Sequence, residues 1–195
     1  MKKIKPKLGV FYWHNPTRIG NLQLVNDLRG DFEIVLISNE NIPSVYKYCD
    51  HVIIGSFGEP NGLISKLQSH KNRYGLDGLI TLSEGAVSLM ADAAEELKLR
   101  GNPADKSRIG RNKYLMRKKF HEAGIAQPSF YKVSSLEEAL QVVRTKFQKK
   151  QFFLKPPCLG GSSYCSIINN DDQLRTVWNG FFFFFWERTK KDPFF

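Results

Sequence analysis

The chain has 195 residues, 42% hydrophobic and 25% charged, which excludes a disordered polyelectrolyte and suits one ordinary domain or two small ones. Formal net charge is +10 and uneven: residues 1–100 carry 12 Lys/Arg against 11 Asp/Glu, residues 101–195 carry 17 against 8. An excess confined to one half points to a polyanionic partner there: nucleotide phosphate, nucleic acid or an acidic surface.

The first hundred residues alternate two patterns. Apolar runs at Leu8–Trp13, Glu33–Ser38, His51–Gly55 and Gly78–Leu82 read as strands buried on both faces, as in a parallel sheet. Helices are expected between and after them, at Arg18–Arg29, Asn61–Tyr74 and Glu84–Lys98. The last has Ser83 as its expected N-cap and an apolar stripe of Val87, Met90, Ala91, Ala94 and Leu97. Strand and helix in alternation predict a small doubly wound, Rossmann-like α/β domain over residues 1–102, without a GxGxxG dinucleotide fingerprint. Arg100-Gly101-Asn102-Pro103 punctuates the chain where the charge balance shifts, and a second, partial α+β domain is expected over 103–180. It reads as a basic helix at Gly110–Ala123 closed by Gly124, an extended stretch at Ser129–Val133, and a helix at Leu136–Phe147 started by Ser135 and Glu138. A strand at Phe152–Leu154, a loop, a returning strand at Tyr164–Ile168 and a helix from Asp171 follow. Phe181–Trp186 shows neither strand nor helix period, so residues 181–195 are expected to be an aberrant Phe-rich tail of a truncated or frame-shifted chain.

Three cysteines without CxxC spacing indicate neither a disulfide framework nor a zinc site, which fits a reducing, cytoplasmic setting. The apolar run after the basic N-terminus is too short for a signal core, and no stretch approaches a membrane span. His14, His51, His70 and His121 lack metal-ligand spacing, and no Ser-His-Asp arrangement is legible.

The sharpest chemical feature is FFLKPPCLGGSS, residues 152–163. Lys155 ends an apolar strand, where a point charge can meet a phosphate. Gly160, Gly161, Ser162 and Ser163 follow, and such a loop can crowd backbone N–H and hydroxyl donors around an anion. The bland alternative is a hairpin with a Gly-Gly turn and a solvent-facing lysine. A Walker loop is excluded because the lysine precedes the glycines.

Asn112-Lys113…Met116-Arg117, Ala123-Gly124-Ile125-Ala126-Gln127-Pro128, Glu137-Glu138-Ala139, Leu154-Lys155-Pro156 and Gly160–Ser163, in that order, resemble the ATP-grasp superfamily of carboxylate–amine or thiol ligases. Ser83-Glu84-Gly85-Ala86-Val87 and Leu97–Gly101 are similar to the end of the domain that precedes it there. The resemblance covers residues from about 78 to 178. It implies that Lys113 and Lys155 reach the ATP phosphates, that Gly160, Gly161, Ser162 and Ser163 form the flap over them, and that Glu84 lies on the substrate side, although a first-turn carboxylate favoured by the helix dipole explains Glu84 as well. It further implies ATP and Mg²⁺ as cofactors, a small carboxylate substrate activated as an acylphosphate, and attack by an amine or other nucleophile. Metal ligands are not found in this sequence, no catalytic residue is assigned, and at most weak ATP or ADP binding, without ligase turnover, is expected of the isolated chain. Two rival readings remain open. One is a nucleotide- or nucleic-acid-binding module using the basic half, with nucleic acid the weaker. The other is a non-catalytic subunit that oligomerises through its Phe-rich end.

Overall fold

A computed structural model describes residues 4–13, 20–148, 151–160 and 164–189. The chain divides into two compact units, Met1–Arg108 and Ile109–Phe195.

The first unit is built on four parallel strands, β1 (Lys7–Tyr12), β2 (Glu33–Ser38), β3 (His51–Ile54) and β4 (Leu76–Thr81), in the order β3-β2-β1-β4. β1 and β2 pair from Lys7↔Glu33 to Tyr12↔Ser38, and β1 and β4 pair from Lys7↔Leu76 to Phe11↔Thr81. Both central strands are buried at four or more consecutive positions, which is why they read as continuous apolar runs rather than alternating ones. On one face Val10, Tyr12, Ile34 and Leu36 pack with Leu22 and Val25 of helix α1 (Gly20–Asp27). On the other, Phe11, Val35, Ile37 and Ile53 pack with Leu63 and Leu67 of α2 (Pro60–Tyr74) and with Leu89, Ala93 and Ala94 of α3 (Val87–Glu96). The sheet is therefore covered on both sides, as the alternating pattern predicts. α2 starts with Pro60 in its first turn and stops at Gly75, whose φ of +72° glycine tolerates.

Ser83 does not cap a helix. Its backbone is extended, and a short 3₁₀ turn, Glu84–Ala86, intervenes before α3. The Ser83 hydroxyl instead accepts from the Trp13 N–H at 3.0 Å, and the Ser83 N–H donates to Thr81 Oγ1 at 3.0 Å. A tertiary bond to the first strand has replaced the local one.

The division between units falls within helix α4 (Ala104–Arg111). The second unit continues with α5 (Lys113–Glu122), α6 (Leu136–Val142), strands β5 (Phe152–Leu154) and β6 (Ser166–Ile168), and α7 (Asp171–Thr189). The two strands are antiparallel, with Phe152↔Ile168, Phe153↔Ile167 and Leu154↔Ser166. Their inner face, with Phe152, Leu154 and Ile168, packs with Ala139 and Leu140 of α6, Val143 just after it, and Leu174 of α7. Ser135 caps α6 by accepting from the Glu138 N–H at 3.1 Å, and Glu138 Oε2 accepts from the Ser134 N–H at 2.7 Å. The last turn, Val143–Phe147, widens to π geometry.

Two local expectations change. The basic helix expected at Gly110–Ala123 is two helices, broken at Asn112. The helix from Asp171 runs on through Phe181–Trp186, where the sequence shows no helical period. Among the described residues, no helix is long and apolar enough to cross a membrane.

Candidate functional site: a cationic cradle in the second unit

The break at Asn112 positions the site. Asn112 is extended, at φ −105° and ψ 106°, and its side-chain oxygen accepts from the backbone N–H groups of Tyr114 and Leu115 at 3.0 and 3.1 Å. Two of the donors that a helix start leaves unpaired are thereby satisfied. Lys113 becomes the first residue of α5, and its N–H donates to the Pro157 carbonyl at 2.9 Å. Its side chain returns to the same loop, where the ammonium donates to the Leu159 carbonyl. From the end of α4, Arg111 donates to the Cys158 carbonyl at 3.0 Å. Three successive loop carbonyls, at 157, 158 and 159, are thus held by the α4–α5 junction immediately before half-buried Gly160.

Lys155 leaves β5 one residue after Leu154 and is half-buried. Burial pushes its pKa below the ordinary lysine value of 10.5, and the charges of Arg117 and then Lys113 push it the same way, while Cys165 opposes them weakly. The ladder explains the last influence. Extending the register by one pair beyond Leu154↔Ser166 sets Lys155 opposite Cys165. Lys113, Arg117 and Lys155 therefore form one cluster of positive charge, so an anion placed among them would relieve their mutual repulsion.

Lys113 and the loop residues just before Gly160 are brought together by these contacts, and the charge of Lys113 reaches Lys155. Gly161, Ser162 and Ser163 lie outside the described residues. Glu84 belongs to the first unit, where it is exposed at the start of the 3₁₀ turn after β4. Arg117 is absent from the residues singled out above as phosphate ligands. Its signal was the spacing of four from Lys113, which puts both side chains on one helix face. Among the described residues, no three His, Cys, Asp or Glu side chains cluster as metal ligands. The implied Mg²⁺ has no fitting donor set there, and no chemical step is assigned to it.

No protein-family model matches the sequence, and no curated protein matches it. Solved structures do. The L-amino acid ligase of Bacillus licheniformis superposes with a TM-score of 0.68 at 18% identity, over 90% of this chain and 43% of that one. The carboxyaminoimidazole ribonucleotide synthase of Aspergillus clavatus, complexed with ATP, superposes at 0.67 and 17% identity, over 89% and 44%. The biotin carboxylase domain of the 2-oxoglutarate carboxylase of Hydrogenobacter thermophilus, a dimer in complex with MgADP, ADP and bicarbonate, does so at 0.66 and 14%, over 98% and 43%. The chain has the fold of ATP-grasp enzymes over the stretch it shares with them. It spans less than half the length of these three structures.

Proposed function

We propose that the second unit grips the phosphates of ATP as part of an ATP-dependent ligase that activates a carboxylate as an acylphosphate for attack by an amine or another nucleophile. The observation that carries this reading is that Lys113 is anchored to the loop leading from Lys155 to Gly160. Lys113 is tied to that loop through both its backbone and its ammonium, and its charge is felt at Lys155. Such fixed cations would neutralise a triphosphate without rearranging, which is how phosphoryl transfer is assisted electrostatically. In the same reading residues 103–180 are the lysine-bearing part, Gly160 to Ser163 supply backbone and hydroxyl donors to the phosphates, and Glu84 belongs to the substrate side. Support comes from the resemblance in sequence and from the ligands of the fold neighbours, ATP in one and MgADP, ADP and bicarbonate in another. Binding rather than turnover is proposed for these 195 residues alone.

The test is a thermal melt of the full chain with ATP, ADP and AMP. At a ligand concentration of 100 times Kd, one site stabilises the fold by about 2.7 kcal/mol. ATP and ADP are expected to raise the melting temperature, and Lys155→Ala to abolish the rise. A Lys155→Ala protein that folds and keeps the full ATP shift would refute the assignment.

A further inference from the structure

The cluster holds a third cation that the reading above leaves without a role. Arg117 lies on α5, four residues after Lys113, and is half-buried. The chain beyond the helix turns back to meet it. Gly124, at φ +70°, ends α5, and the Ile125 N–H donates to the Phe120 carbonyl at 2.9 Å. Gln127 then brackets Arg117 at both ends. Its amide nitrogen donates to the Arg117 carbonyl at 2.7 Å, and its amide oxygen accepts from the guanidinium at 3.3 Å. A neutral partner fixes the direction of the guanidinium without neutralising it. The remaining guanidinium donors keep their full charge, in a planar array suited to two phosphate oxygens at once.

We propose that Arg117 is a third phosphate-binding residue of this site, that Gln127 is its positioning residue, and that together they make the site select a polyphosphate chain over a single phosphate. This rests on the reading of the site as a phosphate cradle. The order of influences on Lys155 agrees with it, since Arg117 acts on that ammonium more strongly than Lys113 does.

The experiment is a calorimetric titration of the full chain with ATP, inorganic tripolyphosphate and AMP, for wild type and for Arg117→Gln, Gln127→Ala and Lys155→Gln. Arg117→Gln is expected to weaken ATP and tripolyphosphate about tenfold or more while leaving AMP within about twofold. Gln127→Ala is expected to shift the ATP-to-AMP ratio in the same direction by a smaller factor, whereas a merely structural role would lower all three affinities alike. If Arg117→Gln does not fold, Arg117→Lys carries the test, because it keeps the charge but loses the bidentate fork and should still reduce the ratio. Should Lys155→Gln lose ATP while Arg117→Gln keeps wild-type affinity and ratio, this inference falls and the cradle stands. A wild-type chain that binds neither ATP nor tripolyphosphate overturns both.

Discussion

Asn112 separates helix stability from site charge in one position. Asn112→Ala removes the acceptor for two backbone N–H groups, at Tyr114 and Leu115. Losing an N-cap costs roughly 0.5–2 kcal/mol, and two satisfied donors place this one in the upper half, about 1–2 kcal/mol. That is a factor of about 5 to 30 in the opening equilibrium of the first turn. Hydrogen exchange of a peptide covering α5, read by mass spectrometry in native buffer, should accelerate by that factor. Asn112→Asp preserves the acceptor and adds a charge that the helix N-terminus favours, so its exchange should match or fall below wild type. The same carboxylate stands next to Lys113, which binds the loop at Pro157 and Leu159. Asn112→Asp should therefore weaken ATP binding without loosening the helix, and Asn112→Ala should loosen the helix first. Equal exchange in wild type and Asn112→Ala, or equal acceleration in both variants, would refute the capping argument.

Three further outcomes follow from the packing or charge around single residues. Gly9→Ala in β1 would set a Cβ 2.5 Å from Leu79 Cδ2 and 3.1 Å from Ile37 Cδ1, so urea unfolding should show about 1–3 kcal/mol of destabilisation from overpacking. Burial would raise the pKa of Asp50, but the Arg29 hydrogen bond, the Ile34 N–H and nearby positive charge outweigh it and hold it below the usual carboxylate range. Its contribution is present above the unfolded value near pH 4 and lost as pH falls through the lower folded value, so Asp50→Asn should flatten the acid limb of a stability–pH curve. Lys155 gives a slope of the same sign at alkaline pH, as the relief of a penalty rather than the gain of a contribution. The folded protein gives up this proton before the unfolded chain does, so stability should rise as pH approaches 10.5 from below, and Lys155→Met should remove that component of the slope in urea midpoints.

Much of the first unit was legible because its physics is local. Glu33–Ser38 reads as a strand and is one, since five consecutive buried residues leave a run that no surface element carries. The ends of helices were legible where a cap acts within the sequence, as at Ser135 and Gly124. Ser83 failed as a cap because its partner, Trp13, is seventy residues away, beyond any local pattern. Asn112 was hidden inside a basic stretch read as one helix, although its residue type already signals a helix start. α7 continues through five phenylalanines because backbone continuity does not need an amphipathic period. Lys113, Lys155 and Gly160 could be named as candidate site residues from motif order. Arg117 became visible as a member of the cluster only when its charge was found acting on Lys155 and its side chain bonded to Gln127.

The distance between β1 and β4 along the chain has a consequence for synthesis. β1 is an inner strand, yet Phe11 meets its partner Thr81 only when a segment seventy residues later has been made, and the bonds Lys7 to Asp77, Thr81 to Phe11 and Trp13 to Ser83 all wait on the same event. Closing so long a span is entropically slow, and contacts of this separation form late. At about 5–20 residues per second, a nascent chain holds one flank of its earliest strand open for several seconds after emergence, and that flank is where a chaperone or a second nascent copy would pair with it.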